Sequence, residues 1–177
     1  MGREVRRVPK GWEHPKYPDD YCEPHQRGRY VPLHDRSFKT ADAEWNEGYA
    51  KWQEGFVEAY GKGEEWRPRT PEDGSTYTLY AGARPSPDEY MPDWPKEECI
   101  MLMMYEDTSE GTPVSPAFET PEELARWLAD NGASSFGSST ATYEQWLSMC
   151  KRGWAPSMVM GGGRIMSGVE FLSETQN

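Results

Sequence analysis

The sequence predicts an α+β fold: a small, mainly antiparallel sheet with two or three helices packed on one face, plus an irregular Pro-rich N-terminal segment. Three observations predict it: a strand-length apolar run at 99–105, two capped amphipathic helices after it, and a glycine-centred hairpin pattern near the end. This order is typical of helices segregated to one face of an antiparallel sheet. We expect residues 1–39 to be the irregular segment, and 40–177 to be a single domain with a long acidic loop region at 61–98.

The apolar run at 99–105 is the first strand of the predicted sheet. Seven residues suit a strand and are too few for most helices, and an unbroken apolar run indicates a strand covered on both faces. The segment at 112–118 predicts a second strand. Since Pro113 and Pro116 cannot donate ladder hydrogen bonds, we expect that strand at an edge of the sheet.

A capped helix is predicted over 121–130. Thr120 and Glu123 have the spacing of a capping box, in which each side chain accepts a hydrogen bond from the other residue's backbone. Pro121 takes the first helical position, where its missing N–H costs nothing. The apolar stripe of this helix should face the sheet.

A second helix follows, begun by Thr142 and ended by Gly153. Its apolar positions at i, i+3, i+4 and i+7 are Tyr143, Trp146, Leu147 and Cys150. Beyond it, segments 157–160 and 164–171 flank three glycines and predict a β-hairpin. We expect the core to contain Leu124, Trp127, Trp146, Leu147 and residues 100–104.

Three stretches of the chain carry a resemblance to a known family. They are residues 119–128 (ETPEELARWL), 140–147 (TATYEQWL) and 2–9 (GREVRRVP). Together they resemble a family of small uncharacterised proteins encoded by tailed bacteriophages and prophages, and the likeness covers most of the chain. The resemblance implies expression in a bacterial cytoplasm during infection or lysogeny. It implies no catalytic residue, because no activity is established for that family.

The charge of the chain is acidic and unevenly distributed. Thirty acidic against nineteen basic residues give a formal net charge of −11, which disfavours a general binder of nucleic acid or of anionic membranes. Residues 40–130 hold twenty-one acidic and only seven basic residues. Six adjacent acidic pairs are Glu64-Glu65, Glu72-Asp73, Asp88-Glu89, Glu97-Glu98, Glu106-Asp107 and Glu122-Glu123. Such pairs either keep a surface solvated or, on one face, copy the charge of a nucleic-acid backbone.

The cysteines and the hydropathy indicate a compartment. Three cysteines leave one outside any disulfide scheme, and two of them fall in predicted core elements, so we expect reduced thiols and a cytoplasmic location in the bacterial host. No apolar stretch approaches the roughly 20 residues that a membrane helix needs. Nor does the start of the chain carry an apolar signal region. We therefore expect neither secretion nor membrane insertion.

An aromatic stripe marks the segment 40–60, where five rings recur at intervals of 4, 3, 4 and 4 and predict a helix. The rings are Trp45, Tyr49, Trp52, Phe56 and Tyr60. The stripe either packs on the sheet as core or forms a groove for a partner. For the second interpretation the partner-binding residues are Trp45, Tyr49, Trp52 and Phe56, with Glu64, Glu65, Glu72 and Asp73 beside them. In the loop that follows, 76–80 is the only short strand candidate.

Two small clusters suggest ligands, each with a plainer alternative. His14, Cys22, His25 and His34 offer zinc donors, with Cys22 and His25 separated by two residues; equally, they are surface and turn residues. Gly161, Gly162, Gly163 and Arg164 could form a backbone nest for an anion such as phosphate, or an ordinary hairpin turn.

Catalytic signatures are missing from the sequence, and we expect no cofactor. The nucleophile-elbow pattern is absent, and Cys150 lies on an apolar helix face far from any histidine in sequence. The leading hypothesis is a non-enzymatic phage accessory protein that binds and inhibits a host protein, such as a defence complex, through its acidic, aromatic front half. The alternative is a protein that binds and sequesters a nucleotide. A virion or replication component, or an enzyme whose site only folding assembles, also stays open.

Overall fold

The structure of the protein is a computed structural model that describes residues 2–59, 65–107, 111–161 and 164–174. The chain divides into two compact units, which we call the sheet unit (residues 1–33 and 94–177) and the aromatic unit (residues 34–93). The predicted division, at residue 40 with one domain after it, differs from this one. The segment 34–93 closes on itself because the His34 N–H donates to the Glu89 carbonyl and the Met91 N–H donates to the His34 carbonyl.

The described residues contain eight strands and five α-helices. The strands are β1 (Gly2–Val8), β2 (Phe56–Glu58), β3 (Trp66–Pro68), β4 (Met101–Glu106), β5 (Thr112–Phe118), β6 (Trp154–Pro156), β7 (Met158–Gly161) and β8 (Arg164–Ser167). The helices are α1 (Phe38–Gln53), α2 (Tyr77–Ala81), α3 (Pro121–Asp130), α4 (Tyr143–Arg152) and α5 (Gly168–Glu174).

The sheet unit contains a four-stranded antiparallel sheet in the order β5-β4-β1-β6. The predicted α+β class with a mainly antiparallel sheet is confirmed, and β5 lies at an edge as its two prolines require. The central strand β1 is a correction, since residues 2–8 were expected to be irregular. Its three arginines hide the strand pattern. Arg3 and Arg6 are buried, with Arg3 paired to Glu106 and Arg6 to Glu4, while Arg7 is exposed.

One face of this sheet carries the main apolar core. Leu102 and Met104 of β4 pack against Leu124 and Leu128 of α3 and Trp146 of α4. The caps form as predicted, with the Thr120 hydroxyl accepting from the Glu123 N–H and a left-handed Gly153 ending α4. Leu124, Trp146 and residues 101–104 are buried as expected, while Trp127 and Leu147 are partly buried and Ile100 is 55% exposed.

The other face of the sheet is covered by the coil of residues 9–33. The ring of Tyr105 lies there, with the Arg6 guanidinium 4.4 Å from its centroid. Arg6 also donates to the Leu33 carbonyl at 2.6 Å, and Trp12 contacts Trp94 edge-on at 4.7 Å. The Pro-rich coil is therefore tied to the sheet by buried polar contacts as well as by aromatic packing.

The predicted C-terminal hairpin is present as β7 and β8, which pair from Met158 with Ser167 to Gly161 with Arg164. Its second strand is shorter than expected, because α5 begins at Gly168. The Ser167 hydroxyl accepts from the Glu170 N–H and the Glu170 carboxylate accepts from the Ser167 N–H, which is a capping box.

The aromatic unit departs most from expectation. The predicted helix over 40–60 ends at Gln53, since Gly55 has a φ of 90° and the chain turns into the β2–β3 hairpin. Phe56 therefore lies on a strand and not on the helical stripe. The expected strand at 76–80 is instead helix α2, because the Thr76 hydroxyl accepts from the Leu79 N–H and begins a helical turn.

Candidate functional site

Five aromatic rings of the aromatic unit meet in one cluster, which we call the ring cluster: Trp45, Tyr49, Trp52, Tyr77 and Tyr80. Tyr77 of α2 is its hub, with centroids 5.1 Å from Trp45, 5.7 Å from Tyr49 and 5.8 Å from Trp52. Trp45 and Tyr49 stack at 5.4 Å with an interplanar angle of 12°. These separations are those of favourable ring pairs, so the aromatic stripe of α1 packs on rings of its own unit.

Gly48 explains how Tyr77 reaches the helix. A Cβ at Gly48 would lie 2.1 Å from the Tyr77 hydroxyl oxygen, so only glycine leaves room for this ring against the backbone of α1. Glycine inside a helix costs roughly 1 kcal/mol relative to alanine. The close approach of Tyr77 explains why a glycine occupies this helical position despite its cost in helix propensity.

The structure brings together three of the four predicted aromatic contact residues, Trp45, Tyr49 and Trp52, but the three side chains differ in solvent exposure. Trp52 is buried, with the Arg69 guanidinium 4.4 Å from its ring centroid, and Trp45 is partly buried. Tyr49 is 43% exposed on the same helix. Phe56, 38% exposed, is outside the ring cluster on β2. Tyr49 is therefore the ring of this set most open to a partner.

The predicted acidic residues have different roles. Asp73 accepts from Arg67 and from the Thr70 N–H, and these hydrogen bonds hold its pKa well below the ordinary value. Asp73 thus stabilises the turn that it caps. Glu65 and Glu72 are exposed, and Glu64 lies outside the described residues.

A cavity of about 370 Å³ adjoins the ring cluster, and we call it the acidic cavity. Its walls include Val57, Trp66, Tyr77 and Tyr80, and its glutamates are Glu44, Glu47 and Glu58. None of its lining residues, among those that the structure describes, is basic. A second cavity of about 350 Å³ shares Glu44, Glu58 and Tyr77 with it.

None of the described residues that line this cavity is among the partner-binding residues predicted from the sequence, and its missed rings and carboxylates are Glu44, Glu47, Glu58, Trp66, Tyr77 and Tyr80. The signal for Tyr77 and Tyr80 was present, since residues at i and i+3 lie on one face of a helix. The sequence pattern of 76–80 predicts a strand, however, in which these two residues would point to opposite faces. Glu58 and Trp66 meet across the β2–β3 hairpin, whose register the sequence does not specify.

Arginines of the aromatic unit already lie on its rings and carboxylates. Arg84 lies 5.7 Å from the Trp45 ring centroid and donates to both Asp42 oxygens, at 2.7 and 3.1 Å. This contact lowers the pKa of Asp42 and raises that of Arg84. The unit thus holds a guanidinium between a carboxylate and an aromatic face.

A larger groove of about 750 Å³ lies in the sheet unit, between the coil and the edge strand β5. Trp12, Tyr30 and Trp127 line it, together with a bulge of β5 at which the Ser115 hydroxyl accepts from the Met104 N–H at 3.0 Å. Its charged lining residues, among those described, are one glutamate and one lysine, Glu13 and Lys16, so the groove has no marked net charge.

The four residues proposed for zinc have other surroundings. His14 is buried, with Nδ1 3.1 Å from the Tyr105 hydroxyl and Nε2 2.6 Å from the Val31 carbonyl, and burial lowers its pKa. Cys22 and His25 are exposed, and His34 belongs to the aromatic unit. No group of three or more potential metal ligands occurs among the described residues, so the zinc hypothesis has no support.

The proposed anion turn is only partly visible. The hairpin that carries Gly161 and Arg164 is formed, but Gly162, Gly163 and the side chain of Arg164 lie outside the described residues.

Cys150 is buried in the core, and burial raises the pKa of its thiol to about 12. A thiol with that pKa is a packing residue at neutral pH.

Comparison of this chain with protein-family models, with curated proteins and with solved structures produced no match. Among the described helices, none combines the length and the apolar character that a membrane span requires.

Proposed function

We propose that this protein is a phage-encoded, non-enzymatic accessory protein that binds and inhibits a host protein, such as a component of a defence complex. The single observation that carries the binding role is the concentration of exposed aromatic and acidic groups on the aromatic unit. Its residues 34–93 contain thirteen acidic and seven basic side chains, a net charge of −6. The phage setting rests on the resemblance of residues 2–9, 119–128 and 140–147.

The aromatic and acidic groups lie close together. Tyr49 is exposed above the ring cluster, and the acidic cavity shares Tyr77 and Tyr80 with that cluster. Rings with a polar tip favour protein interfaces, and acidic rims steer basic partners to them. A partner with a basic surface matches this combination.

The same geometry weighs against the sequestering of a nucleotide at this site. A base could stack on the rings, but its phosphates would meet the glutamates of the acidic cavity. The nucleotide hypothesis therefore requires an anion site elsewhere. A panel of nucleotides that raised the melting temperature would favour it over protein binding.

Affinity capture from bacterial lysate at low and high salt, followed by binding measurements on the captured protein, tests the proposal. We expect one stoichiometric partner whose affinity falls with salt. Tyr49→Ala should weaken binding about tenfold, the size of an interface hot spot. Phe136→Ala is the matched control, since Phe136 is a similarly exposed ring (40%) in the sheet unit, and it should change the affinity less than about twofold.

The inhibitory role needs its own readout. The activity of the captured partner should fall when the protein is added at stoichiometric amounts, and Tyr49→Ala should require correspondingly more protein. The proposed function would be overturned if no stoichiometric partner were captured. It would also be overturned if the affinity of the partner changed neither with salt nor on Tyr49→Ala.

A further inference from the structure

We propose that the acidic cavity of the aromatic unit receives the guanidinium group of one arginine of the partner protein. The inference rests on the proposed function and adds to it the chemistry of the partner's anchoring side chain. It follows from the walls of the cavity, from Glu47 and Glu58, which form no ion pair with the described residues, and from the contacts that arginines of this unit make.

The walls suit a flat cation. Trp66, Tyr77 and Tyr80 line the cavity, and the faces of aromatic rings attract a cation by their quadrupole. Gly48 lets Tyr77 lie close to the backbone of α1 at this cavity. A volume of about 370 Å³ is at the small end of ligand pockets, which run from roughly 300 Å³, and it is ample for one side chain.

The glutamates supply charge that the described part of the fold does not fully neutralise. Glu44 is paired with Arg36. Glu47 forms no ion pair within the described part of the chain, and the nearby Lys51 ammonium donates to Glu54 at 2.8 Å instead. Glu58 forms no ion pair with the described residues. The carboxylates of Glu47 and Glu58 therefore line the cavity together with the rings of Trp66, Tyr77 and Tyr80. No described residue that lines it is basic.

Arginines of the same unit show the chemistry that the cavity offers. Arg84 bridges the Trp45 ring and the Asp42 carboxylate, Arg69 covers the Trp52 ring, and Arg67 donates to Asp73. In the first case one guanidinium meets both an aromatic face and a carboxylate. The acidic cavity presents these same two kinds of group to a side chain from outside.

Arginine matches these groups better than lysine. Its guanidinium is planar, stacks on rings and can donate two parallel hydrogen bonds to a carboxylate, whereas an ammonium is a compact and strongly hydrated point charge. A partner with an exposed arginine should therefore be preferred over one with lysine at the same position.

A titration with three matched peptides tests this on the full chain. The probes are acetylated and amidated Gly-Gly-Xaa-Gly-Gly, in which Xaa is arginine, lysine or citrulline, the neutral analogue of arginine with the same shape. The readout is the NMR shift of the Trp66 indole N–H and of the backbone amides of residues 77–81. We expect saturable shifts with arginine, binding of lysine about threefold weaker, and binding of citrulline at least about tenfold weaker.

Two variants and a control locate the site. Glu58→Gln and Glu47→Gln keep the side-chain shape and should each weaken arginine binding about threefold at low salt. Glu72→Gln removes the same charge from an exposed position of the same unit that does not line the cavity, and it should leave the affinity unchanged. Equal binding of citrulline and arginine, or an equal effect of Glu72→Gln, would overturn the inference.

The two proposals fail in different ways. The arginine site is overturned if a captured partner binds Glu58→Gln as tightly as the unchanged protein and the arginine peptide causes no NMR shift. That outcome does not contradict the proposed function. Selective arginine binding that is weakened in Glu58→Gln but not in Glu72→Gln, with no protein captured, supports the arginine site and overturns the proposed function.

Discussion

The two units of this protein are built from different kinds of core. The sheet unit buries mainly aliphatic and sulfur-containing side chains, such as Leu124 and Met149, between regular strands and helices. The aromatic unit has a core of three buried residues, Trp52, Val57 and Tyr77, and depends on ring contacts around Tyr77. The difference shows how a short segment can be stabilised without an extensive core. A few large rings each bury much apolar area, while part of each ring edge stays exposed at the surface.

The units also treat charge differently. The sheet unit buries Arg3 and Arg6 against carboxylates and a backbone carbonyl. The aromatic unit has ion pairs at the surface, as in Lys51 with Glu54 and Arg84 with Asp42, and one in which the Asp73 side chain is nearly buried beside Arg67. Surface pairs contribute little to stability, because water and salt screen them. We infer that charge supports the fold in the first unit and remains mostly free to act on a partner in the second.

Removing the central ring of each core should have the largest effect. Trp146→Ala deletes a fully buried indole of the sheet unit, and we expect the free energy of unfolding to fall by about 3–5 kcal/mol. Tyr77→Ala removes the hub of the ring cluster, so the amide signals of residues 34–93 should move to unfolded positions while those of the sheet unit hold. Urea unfolding and amide NMR spectra measure the two effects.

Each of these variants has a matched control in its own unit. Trp127→Ala makes the same change at a partly buried position beside the main core and should cost clearly less than Trp146→Ala. Leu79→Ala lies on α2 beside Tyr77 but is exposed, so it should be nearly neutral. If Tyr77→Ala removed the signals of both units alike, the ring cluster would not be a core of its own.

Gly48→Ala should show an effect of opposite sign to the one that helix propensity predicts. In an exposed helix the substitution stabilises by about 1 kcal/mol. Here the new Cβ would lie 2.1 Å from the Tyr77 hydroxyl oxygen, in a ring that other rings hold in place, so we expect a loss of about 1–3 kcal/mol. Thermal unfolding followed by near-ultraviolet circular dichroism reports on the rings.

The hydroxyl of Tyr77 provides the control for that variant. Tyr77→Phe removes the oxygen that the new Cβ would meet, so adding it to Gly48→Ala should recover most of the loss. A stabilising Gly48→Ala single variant would mean that Tyr77 moves aside freely, which contradicts a tightly packed ring cluster.

Acid should lower the stability of the two units in different pH ranges. We expect this effect to be smaller than those of the ring deletions and of Gly48→Ala. Burial lowers the folded pKa of His14, so its contribution to the sheet unit is fully present above the unfolded-state pKa of about 6.5 and is lost as the pH falls through the folded value. Hydrogen bonds from Arg67 and Arg84 lower the pKa values of Asp73 and Asp42. Their contribution to the aromatic unit is present above about pH 3.9 and lost only below it.

Urea midpoints between pH 7.5 and 5.5 measure the first window. We expect stability to fall by at most about 1.4 kcal/mol per pH unit there, and the slope to vanish in His14→Gln. His25→Asn, which changes an exposed histidine of the same coil, should keep the slope. A slope that His14→Gln left intact would show that His14 is not the titrating group.

Local signals of the sequence were sufficient where the stabilising contacts are local. The capping box at Thr120, the cap at Thr142 and the terminating Gly153 predicted α3 and α4 closely, and the prolines of β5 predicted an edge strand. These features depend on residues within one turn or one strand. The apolar run that became β4 was equally clear, apart from Ile100 at its exposed start.

Strand β1 and the aromatic unit depended on contacts between distant residues. An Arg-rich segment forms a central strand because Glu106 and the Leu33 carbonyl, far along the chain, accept hydrogen bonds from Arg3 and Arg6, its two buried arginines. The acidic cavity likewise needs Glu58, Trp66 and Tyr77, which come from three different elements.

The sequence by itself determined the fold class, the capped helices, the edge strand and the excess of acid. Only the tertiary structure decided that the aromatic stripe packs on Tyr77 and Tyr80, and that Gly48 makes room for this contact. It also decided that Asp73 is held by Arg67 while glutamates line a cavity. The physical reason is that caps and propensities act within a few residues, whereas burial and charge pairing depend on which distant side chains the fold brings into contact.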